Sequence, residues 1–257
     1  MREANQDASA GSVEELERIV GQIRSTWPEV KIVIRADSGF CREALMCWCE
    51  ENAVDYLLGL AKNTRLTQAI ASEMAAAKAQ HGRSGQAARV FKDFDYQTRN
   101  SWSRPRRVVG KAEYLAKGEN PRFVVTSLSR TEYEGRSLYE QHYCARGEME
   151  NRIKEQQLDL FAVRTSTHTL RANQNRLYFS SFAYILLSAL RRLGLSGTQW
   201  ARAQCATIRL KLLKVGAQIR ISVRKVWVSL SEGYPDAALF AQVLARLRDG
   251  PAFCPTR

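Results

Sequence analysis

The sequence predicts an α/β protein whose helices and strands are followed by a basic C-terminal extension. Over residues 1–85, helical spacing alternates with short β-branched runs, which is typical of a core built from βαβ units. Over residues 86–141, strand-like segments are separated by polar turns, so we interpret this part as a β-rich insertion. Helical spacing returns over residues 142–195, and residues 196–257 combine helical and hairpin patterns with many basic residues, which indicates an α+β extension.

The first predicted elements are a helix, a strand, a second helix and a second strand. Ser12 followed by Glu15 matches a capping box, and apolar residues at helical spacing continue this helix to just before Pro28. The run Lys31–Ala36 is typical of a central strand covered on both faces. The next elements are predicted as helix, buried strand and helix, at Arg42–Glu51, Tyr56–Leu60 and Leu66–Gln80. Strand, helix and strand together predict a parallel βαβ unit.

The later part of the chain alternates again between strand and helix patterns. Strands are predicted at Val90–Tyr96, Arg107–Leu115 and Arg122–Leu128. Helices are predicted at Arg146–Phe161, Leu177–Leu193, Ile208–Val215 and Pro235–Arg248, with a basic hairpin formed by Ile219–Val223 and Val226–Leu230. The longest apolar run, Leu177–Leu190, is shorter than the roughly 20 residues that span a bilayer. We therefore expect it to form a buried core helix, and we expect no membrane partner.

The charge of the chain points to a polyanionic partner. The formal net charge is +13, and the stretch 160–231 contains no Asp or Glu. The basic residues of this stretch are Arg164, Arg171, Arg176, Arg191, Arg192, Arg202, Arg209, Lys211, Lys214, Arg220, Arg224 and Lys225. Such a field attracts nucleic acid, and the alternative is a basic face that serves only solubility.

The cysteines indicate a reducing compartment. The six cysteines are scattered along the chain and match neither a disulfide framework nor the paired spacing of a zinc site. The segment Met1–Gly11 is polar and lacks the apolar region of a signal peptide. We therefore expect reduced thiols and a cytoplasmic protein.

Two places combine a carboxylate with a setting that supports chemistry. Asp37 follows the strand at Lys31–Ala36, where α/β sheets bind their ligands. On a regular helix, Tyr143, Arg146 and Glu150 would lie near one face, so that Glu150 could hold a metal while Tyr143 and Arg146 contact phosphate. The alternatives are that Asp37 only caps the following helix and that Glu150 forms a surface pair with Lys154.

These two places also carry a family resemblance. The segment Ile34–Phe40 resembles the second-aspartate strand of DDE transposases, which have a retroviral-integrase or RNase H-like fold. The segment Tyr143–Asn151 resembles the Tyr-Arg-Glu-Lys signature of one subgroup, in which a β-rich insertion precedes the catalytic Glu. The resemblance implies an RNase H-like core in which three carboxylates, two of them Asp37 and Glu150, hold two Mg²⁺ ions for the cleavage and joining of DNA.

The sequence departs from the family pattern at two positions. The Lys of the signature is replaced by Gln157, so its phosphate contact would pass to Lys154. The first aspartate of the family is missing, because Asp7 is the sole Asp before the first predicted helix and falls in a predicted loop. We therefore expect an RNase H-like core that is incomplete at its N-terminus, a metal site without its third carboxylate, and no activity of this chain alone.

The resemblance also implies partners and contacts. We expect the chain to bind double-stranded DNA at transposon terminal inverted repeats. A homodimer in a synaptic complex is a possible assembly, and the expected location is the bacterial cytoplasm near the nucleoid. The expected DNA contacts are Tyr143, Arg146, Lys154, Trp102, Arg104, Arg220, Arg224 and Lys225. Trp102 lies within a basic segment and could stack on a base, and the alternative is that it simply packs in a β-turn. The alternatives are another RNase H-like nuclease and a non-catalytic basic DNA-binding protein.

Overall fold

The computed structural model describes residues 9–249, which fall into two compact units that divide between Glu148 and Met149. Asp7 and Cys254 lie outside these residues, so the loop predicted around Asp7 stays a prediction. No helix within the described range is both long enough and apolar enough to cross a membrane.

The N-terminal unit contains a six-stranded sheet and several helices. Its helices are α1 (Ser12–Thr26), α2 (Glu43–Glu51), α3 (Thr64–Ala69), α4 (Ala71–Ser84) and α5 (Gly135–Ser137), with a 3₁₀-helix at Ser38–Phe40. Its strands are β1 (Val33–Ala36), β2 (Asp55–Leu60), β3 (Ala88–Tyr96), β4 (Arg106–Leu115), β5 (Gly118–Glu119) and β6 (Arg122–Thr126). After α5 come a π-helix at Leu138–Tyr143, a 3₁₀-helix at Cys144–Arg146 and then α6 (Gly147–Lys154).

The sheet is mixed. Its strand order is β1-β2-β6-β4-β3, and β5 pairs with β4. β1 and β2 are parallel and joined by α2, which confirms the predicted βαβ unit, whereas β6 pairs antiparallel with β2. The strands of residues 86–141 therefore continue the same sheet as β1 and β2. The mixed α/β architecture is consistent with the predicted fold class.

β1 is less covered by other elements than the sequence predicted. It covers only Val33–Ala36, and within the described residues it pairs with β2 alone. Its side chains alternate between exposed and half-buried, so the expected central strand covered on both faces was wrong here. A β-branched run favours extended backbone, but it does not determine which strands lie beside it.

The core of this unit lies on both faces of the sheet. On one face, Tyr56 and Leu58 of β2 pack with Val108 and Val125 against the helices. On the other face, Leu57 packs with Val109, Val124, Leu128, Leu138 and Tyr139. Burial of each large apolar side chain stabilises the fold by about 1.5–3 kcal/mol. The buried strand β2 therefore fixes the positions of the segments that follow β1 and of the π-helix.

The helix predicted over Leu66–Gln80 is divided. α3 is capped by Asn63, whose side chain accepts a hydrogen bond from the Leu66 N–H at 2.9 Å. α3 ends at Ala69, and Ile70, which has φ −111° and ψ 21°, separates it from α4. Ile70 is fully buried, so packing of its side chain outweighs the preference of the surrounding alanines for one continuous helix.

A buried arginine links α2 to the sheet. Arg106 of β4 donates from Nη1 to Glu43 Oε2 at 2.6 Å and from Nε to Glu50 Oε1 at 2.8 Å. Burial alone would raise the pKa of Glu43, but hydrogen bonds from Arg106 and Ser103 outweigh it and lower the pKa to about 2. Glu43 therefore stays charged in the folded protein at neutral pH.

The C-terminal unit has a small core of its own. After α6 come a π-helix at Glu155–Asp159, α7 (Leu170–Leu193), α8 (Cys205–Ile208), a π-helix at Arg209–Leu213, the hairpin β7 (Ala217–Ile221) and β8 (Val226–Leu230), and α9 (Ala237–Asp249). Six buried side chains form the core: Leu187, Leu195, Cys205, Ile208, Leu212 and Val243. Glu155 is buried and accepts two hydrogen bonds of 3.1 Å from Arg191. These bonds join the π-helix at Glu155–Asp159 to α7.

The long helix α7 is less buried than the sequence predicted. Its side chains Tyr178, Phe179, Phe182, Ile185 and Leu186 are between 58% and 75% exposed. The expectation of a buried core helix at Leu177–Leu190 was therefore wrong. Apolar length distinguishes a membrane span from a shorter helix, but it does not show which face of the helix another element covers.

Candidate functional site

Asp37 lies at the carboxyl end of β1. Its Oδ1 accepts a hydrogen bond from the Gly39 N–H at 2.9 Å and so caps the 3₁₀-helix at Ser38–Phe40. The capping alternative is therefore correct for this oxygen. Within residues 9–249, Oδ2 of this exposed side chain accepts no hydrogen bond. One carboxylate oxygen remains available for a ligand at the end of a strand, which is a usual binding position in α/β sheets.

Tyr143 lies beside the same strand end, over a glycine of β2. A Cβ atom added at Gly59 would lie 2.5 Å from Tyr143 Oη, 3.0 Å from the Ser38 N and 3.3 Å from the Asp37 carbonyl carbon. The space that a side chain would occupy at Gly59 is thus filled by the Tyr143 hydroxyl and by the backbone that follows β1. A glycine within a strand often marks such a close approach.

Arg146 completes a cluster with Tyr143 and Asp37. Its guanidinium carbon lies 5.6 Å from the centre of the Tyr143 ring. Burial raises the pKa of Tyr143, the charge and hydrogen bond of Arg146 lower it, the charge of Asp37 raises it, and the net effect is a raised pKa. The phenol therefore remains a hydrogen-bond donor at neutral pH. A carboxylate, a phenol and a guanidinium together suit a metal-bound phosphodiester.

The predicted set lacked two residues that assemble this cluster. Arg35 of β1 donates from Nη1 to the His142 carbonyl at 2.7 Å and so fixes the π-helix to the strand that precedes Asp37. Gly59 provides the space for the Tyr143 hydroxyl. The glycine inside the apolar run Tyr56–Leu60 was a signal for this close approach, whereas nothing in the sequence near Arg35 indicated a backbone partner 107 residues away.

Glu150 and Lys154 lie in α6, beyond the division between the two units, and both are exposed. The path from Tyr143 to Glu150 runs through a π-helix, a 3₁₀-helix and an α-helix, so the spacing assumed for a regular helix does not apply. Among residues 9–249, no three His, Cys, Asp or Glu side chains form a group that could hold a metal. The convergence of Glu150 with Asp37 stays a prediction.

Comparison with protein families identifies the chain. The family described as transposase DDE domain group 1 matches residues 1–252. This chain belongs to the DDE transposase family. The match supports a role in DNA transposition, with the DNA binding and divalent metal use that are general in this family. A comparison with curated proteins gave no match.

Within the transposase, Trp102 does not occupy the position expected of a base-stacking residue. Its ring is buried and packs edge-on against Tyr96, with the ring centres 5.8 Å apart. The Arg106 guanidinium lies 5.6 Å from the ring centre. A nucleobase could stack on Trp102 only by displacing these neighbours, so the structure gives this residue a packing role. Turn and charge patterns around it did not reveal that its ring faces the core.

The other predicted DNA contacts of the transposase lie at the surface. Arg104 forms a salt bridge with Glu50, which neutralises part of its charge. Arg220, Arg224 and Lys225 are exposed on the β7–β8 hairpin, and no described acidic side chain pairs with any of them. Lys225 Nζ lies 5.6 Å from the centre of the Trp227 ring. The hairpin therefore presents free cations, whereas Arg104 serves partly to bind α2.

Proposed function

We propose that this transposase binds transposon-end DNA and contributes Asp37 and Glu150 to metal-dependent cleavage and strand transfer. The observation that carries the proposal is the cluster of Asp37, Tyr143 and Arg146 at the carboxyl end of β1. This cluster combines a carboxylate oxygen that is open to a ligand with two donors suited to phosphate. The expected DNA is the duplex of the terminal inverted repeats, bound by a homodimer in the bacterial cytoplasm near the nucleoid.

The residues have separate roles in the proposed reaction. Asp37 Oδ2 and the Glu150 carboxylate are hard oxygen ligands that fit Mg²⁺. The bound ions would activate water or a 3′-hydroxyl and stabilise the leaving oxygen. Arg146 would neutralise charge on the scissile phosphate, and the protonated Tyr143 would donate a hydrogen bond to one of its oxygens. Asp37 and Glu150 are two of the three carboxylates that this family uses, and the third is not assigned.

Localised radical cleavage tests the metal site without requiring activity. Fe²⁺ with ascorbate and peroxide would replace Mg²⁺ and cut the backbone near its ligands, and mass spectrometry would map the cuts. We expect cuts near residues 37 and 150, suppressed by excess Mg²⁺. Asp37→Asn keeps an oxygen that can cap Gly39 but removes the charge, and it should abolish both sets of cuts.

Glu148→Gln is the matched control, because Glu148 is an exposed carboxylate two positions from Glu150. This variant should be cut like the unmodified chain, whereas Glu150→Gln should not. Cuts at only one of the two places would contradict a shared metal. Metal-dependent nicking of an inverted-repeat duplex by the chain alone would show that a third ligand lies within these residues.

A non-catalytic DNA-binding protein is the second candidate. The specific observation in its favour is the stretch 160–231, which contains no acidic residue. Such a protein would bind DNA equally well in Mg²⁺ and in a chelator, and Asp37→Asn would not change its binding. A metal-dependent rise in affinity that Asp37→Asn removes would favour the transposase site instead.

A further inference from the structure

The C-terminal unit contains an open cleft of about 560 Å³ that the predicted site does not use. We call it the arginine cleft, and its main lining residues are Phe161, Arg164, Ser166, Arg176, Phe179 and Arg209. These residues come from the loop after the π-helix at Glu155–Asp159, from α7 and from the π-helix at Arg209–Leu213. The cleft therefore lies entirely within one compact unit.

The cleft brings positive charges together around one ring. The guanidinium carbons of Arg164 and Arg209 lie 4.3 Å and 4.8 Å from the centre of the Phe161 ring. Arg176 donates from Nη1 to Ser166 Oγ at 2.9 Å. Like charges around one ring repel one another, and an anion beside them would offset this repulsion. Phe161 itself adopts the left-handed conformation with φ 60°, which side chains of its size rarely accept and which is frequent at binding sites.

One of the arginines that line the cleft has a donor without an acceptor. Arg209 Nε is buried, and it is the one buried side-chain nitrogen or oxygen in residues 9–249 that has no hydrogen-bond partner. Asp159 is the sole acidic residue that lines the cleft, and its Oδ2 accepts from the Ala206 N–H at 2.9 Å. No described carboxylate forms a salt bridge with Arg164, Arg176 or Arg209. The protein thus leaves a buried donor unsatisfied, which is costly unless a ligand supplies the acceptor.

We propose that the arginine cleft binds a phosphate group of the DNA backbone. This inference rests on the proposed function, because it assigns part of the DNA affinity to one built site. Arginine forks match phosphate oxygens in geometry as well as charge, and the Arg209 guanidinium lies against the Phe161 ring. The cleft is larger than one phosphate, and the exposed Phe179 ring offers apolar surface to the adjoining sugar.

Substitutions that keep the positive charge distinguish phosphate binding in the cleft from non-specific attraction of DNA to the basic surface. Arg209→Lys keeps the charge but removes the Nε–H donor, and Arg202→Lys is its control, since Arg202 is exposed in the same acid-free stretch outside the cleft. We expect Arg209→Lys to raise the Kd for a DNA duplex about tenfold, as for loss of a charged hydrogen bond. Arg202→Lys should change it less than about twofold. Equal effects of the two variants, or no effect of Arg209→Lys, would overturn the proposal.

A second variant tests the cleft by the salt dependence of DNA binding, and a second ligand, inorganic phosphate, tests it without DNA. Arg164→Gln should lower the slope of log K against log salt by roughly 0.9, since one phosphate contact is lost. Inorganic phosphate, compared with chloride at equal ionic strength, should raise the Tm of the unmodified chain, and Arg209→Lys should remove this rise. Circular dichroism without phosphate checks that each variant folds.

The two ligands give distinguishable failures. If the unmodified chain binds no DNA, the proposed function fails, and the phosphate-dependent Tm still shows whether the cleft takes the anion. If phosphate raises the Tm but Arg209→Lys binds DNA normally, the cleft takes free phosphate and the assignment to DNA is wrong. If neither ligand responds to Arg209→Lys, the cleft is not an anion site.

Discussion

Gly59→Ala should destabilise the protein and disturb the cluster at Asp37. The added Cβ would lie 2.5 Å from Tyr143 Oη and 3.0 Å from the Ser38 N, distances that require either the side chain or the backbone to move. Overpacking of this kind costs about 1–3 kcal/mol. Replacing glycine also restricts the unfolded chain, which stabilises by about 0.4–1 kcal/mol. The net expectation is a loss of about 1–2 kcal/mol in the free energy of unfolding.

Urea denaturation of a double-mutant cycle tests the cause of this loss. Tyr143→Phe removes the hydroxyl that the new methyl group would meet, so the loss caused by Gly59→Ala should shrink by about 1 kcal/mol in the Tyr143→Phe background. Gly82→Ala is the control, because nothing lies within 4 Å of a Cβ added there in α4. It should stabilise by about 0.5–1 kcal/mol. The reasoning is refuted if Gly59→Ala is as stable as the unmodified chain, or if its effect simply adds to that of Tyr143→Phe.

Three further predictions concern Glu43, Glu155 and Trp102. The folded pKa of Glu43 is about 2, below its ordinary 4.5, so its contribution to stability is full above about pH 4.5 and is lost as pH falls towards 2. Urea denaturation between these pH values should show that the free energy of unfolding falls less steeply with pH in Glu43→Gln than in the unmodified chain. An equally steep fall in both proteins would contradict this prediction. Glu155→Gln leaves the Arg191 guanidinium without its carboxylate and should cost about 3–5 kcal/mol, whereas a loss below about 1 kcal/mol would mean that the pair is open to water. Trp102→Ala should cost about 3–5 kcal/mol of stability, and reduced DNA affinity without that loss would restore its stacking role.

The spacing of apolar residues predicted the helices and strands whose formation depends mainly on residues nearby in the sequence. The parallel pair β1 and β2 with α2 between them followed from two apolar runs separated by a helical one. The hairpin of β7 and β8 followed from alternation of apolar and polar residues. The exposure of the β1 side chains and the division of the helix at Ile70 did not follow. Both depend on packing against residues distant in sequence, to which local propensity is insensitive.

The candidate site was predicted in part for the same reason. Asp37 was found because it directly follows a strand, and Tyr143 and Arg146 were found because they lie in a recognisable signature. Gly59 and Arg35 were missed because each acts through a contact across the fold. The family match extends over residues 1–252, and the convergence of Glu150 with Asp37 stays a prediction.

The exposed apolar face of α7 has a consequence for how the protein behaves in solution. Copies with a net charge of +13 repel one another at low ionic strength, and this repulsion keeps the uncovered aromatic and aliphatic side chains of neighbouring molecules apart. At about 0.1 M salt the repulsion extends only about 10 Å, and at higher salt less. The conditions that strip DNA from the protein are therefore the ones that let these faces meet. We expect bound nucleic acid to keep the protein soluble, so the preparation that contains the least nucleic acid should precipitate most readily.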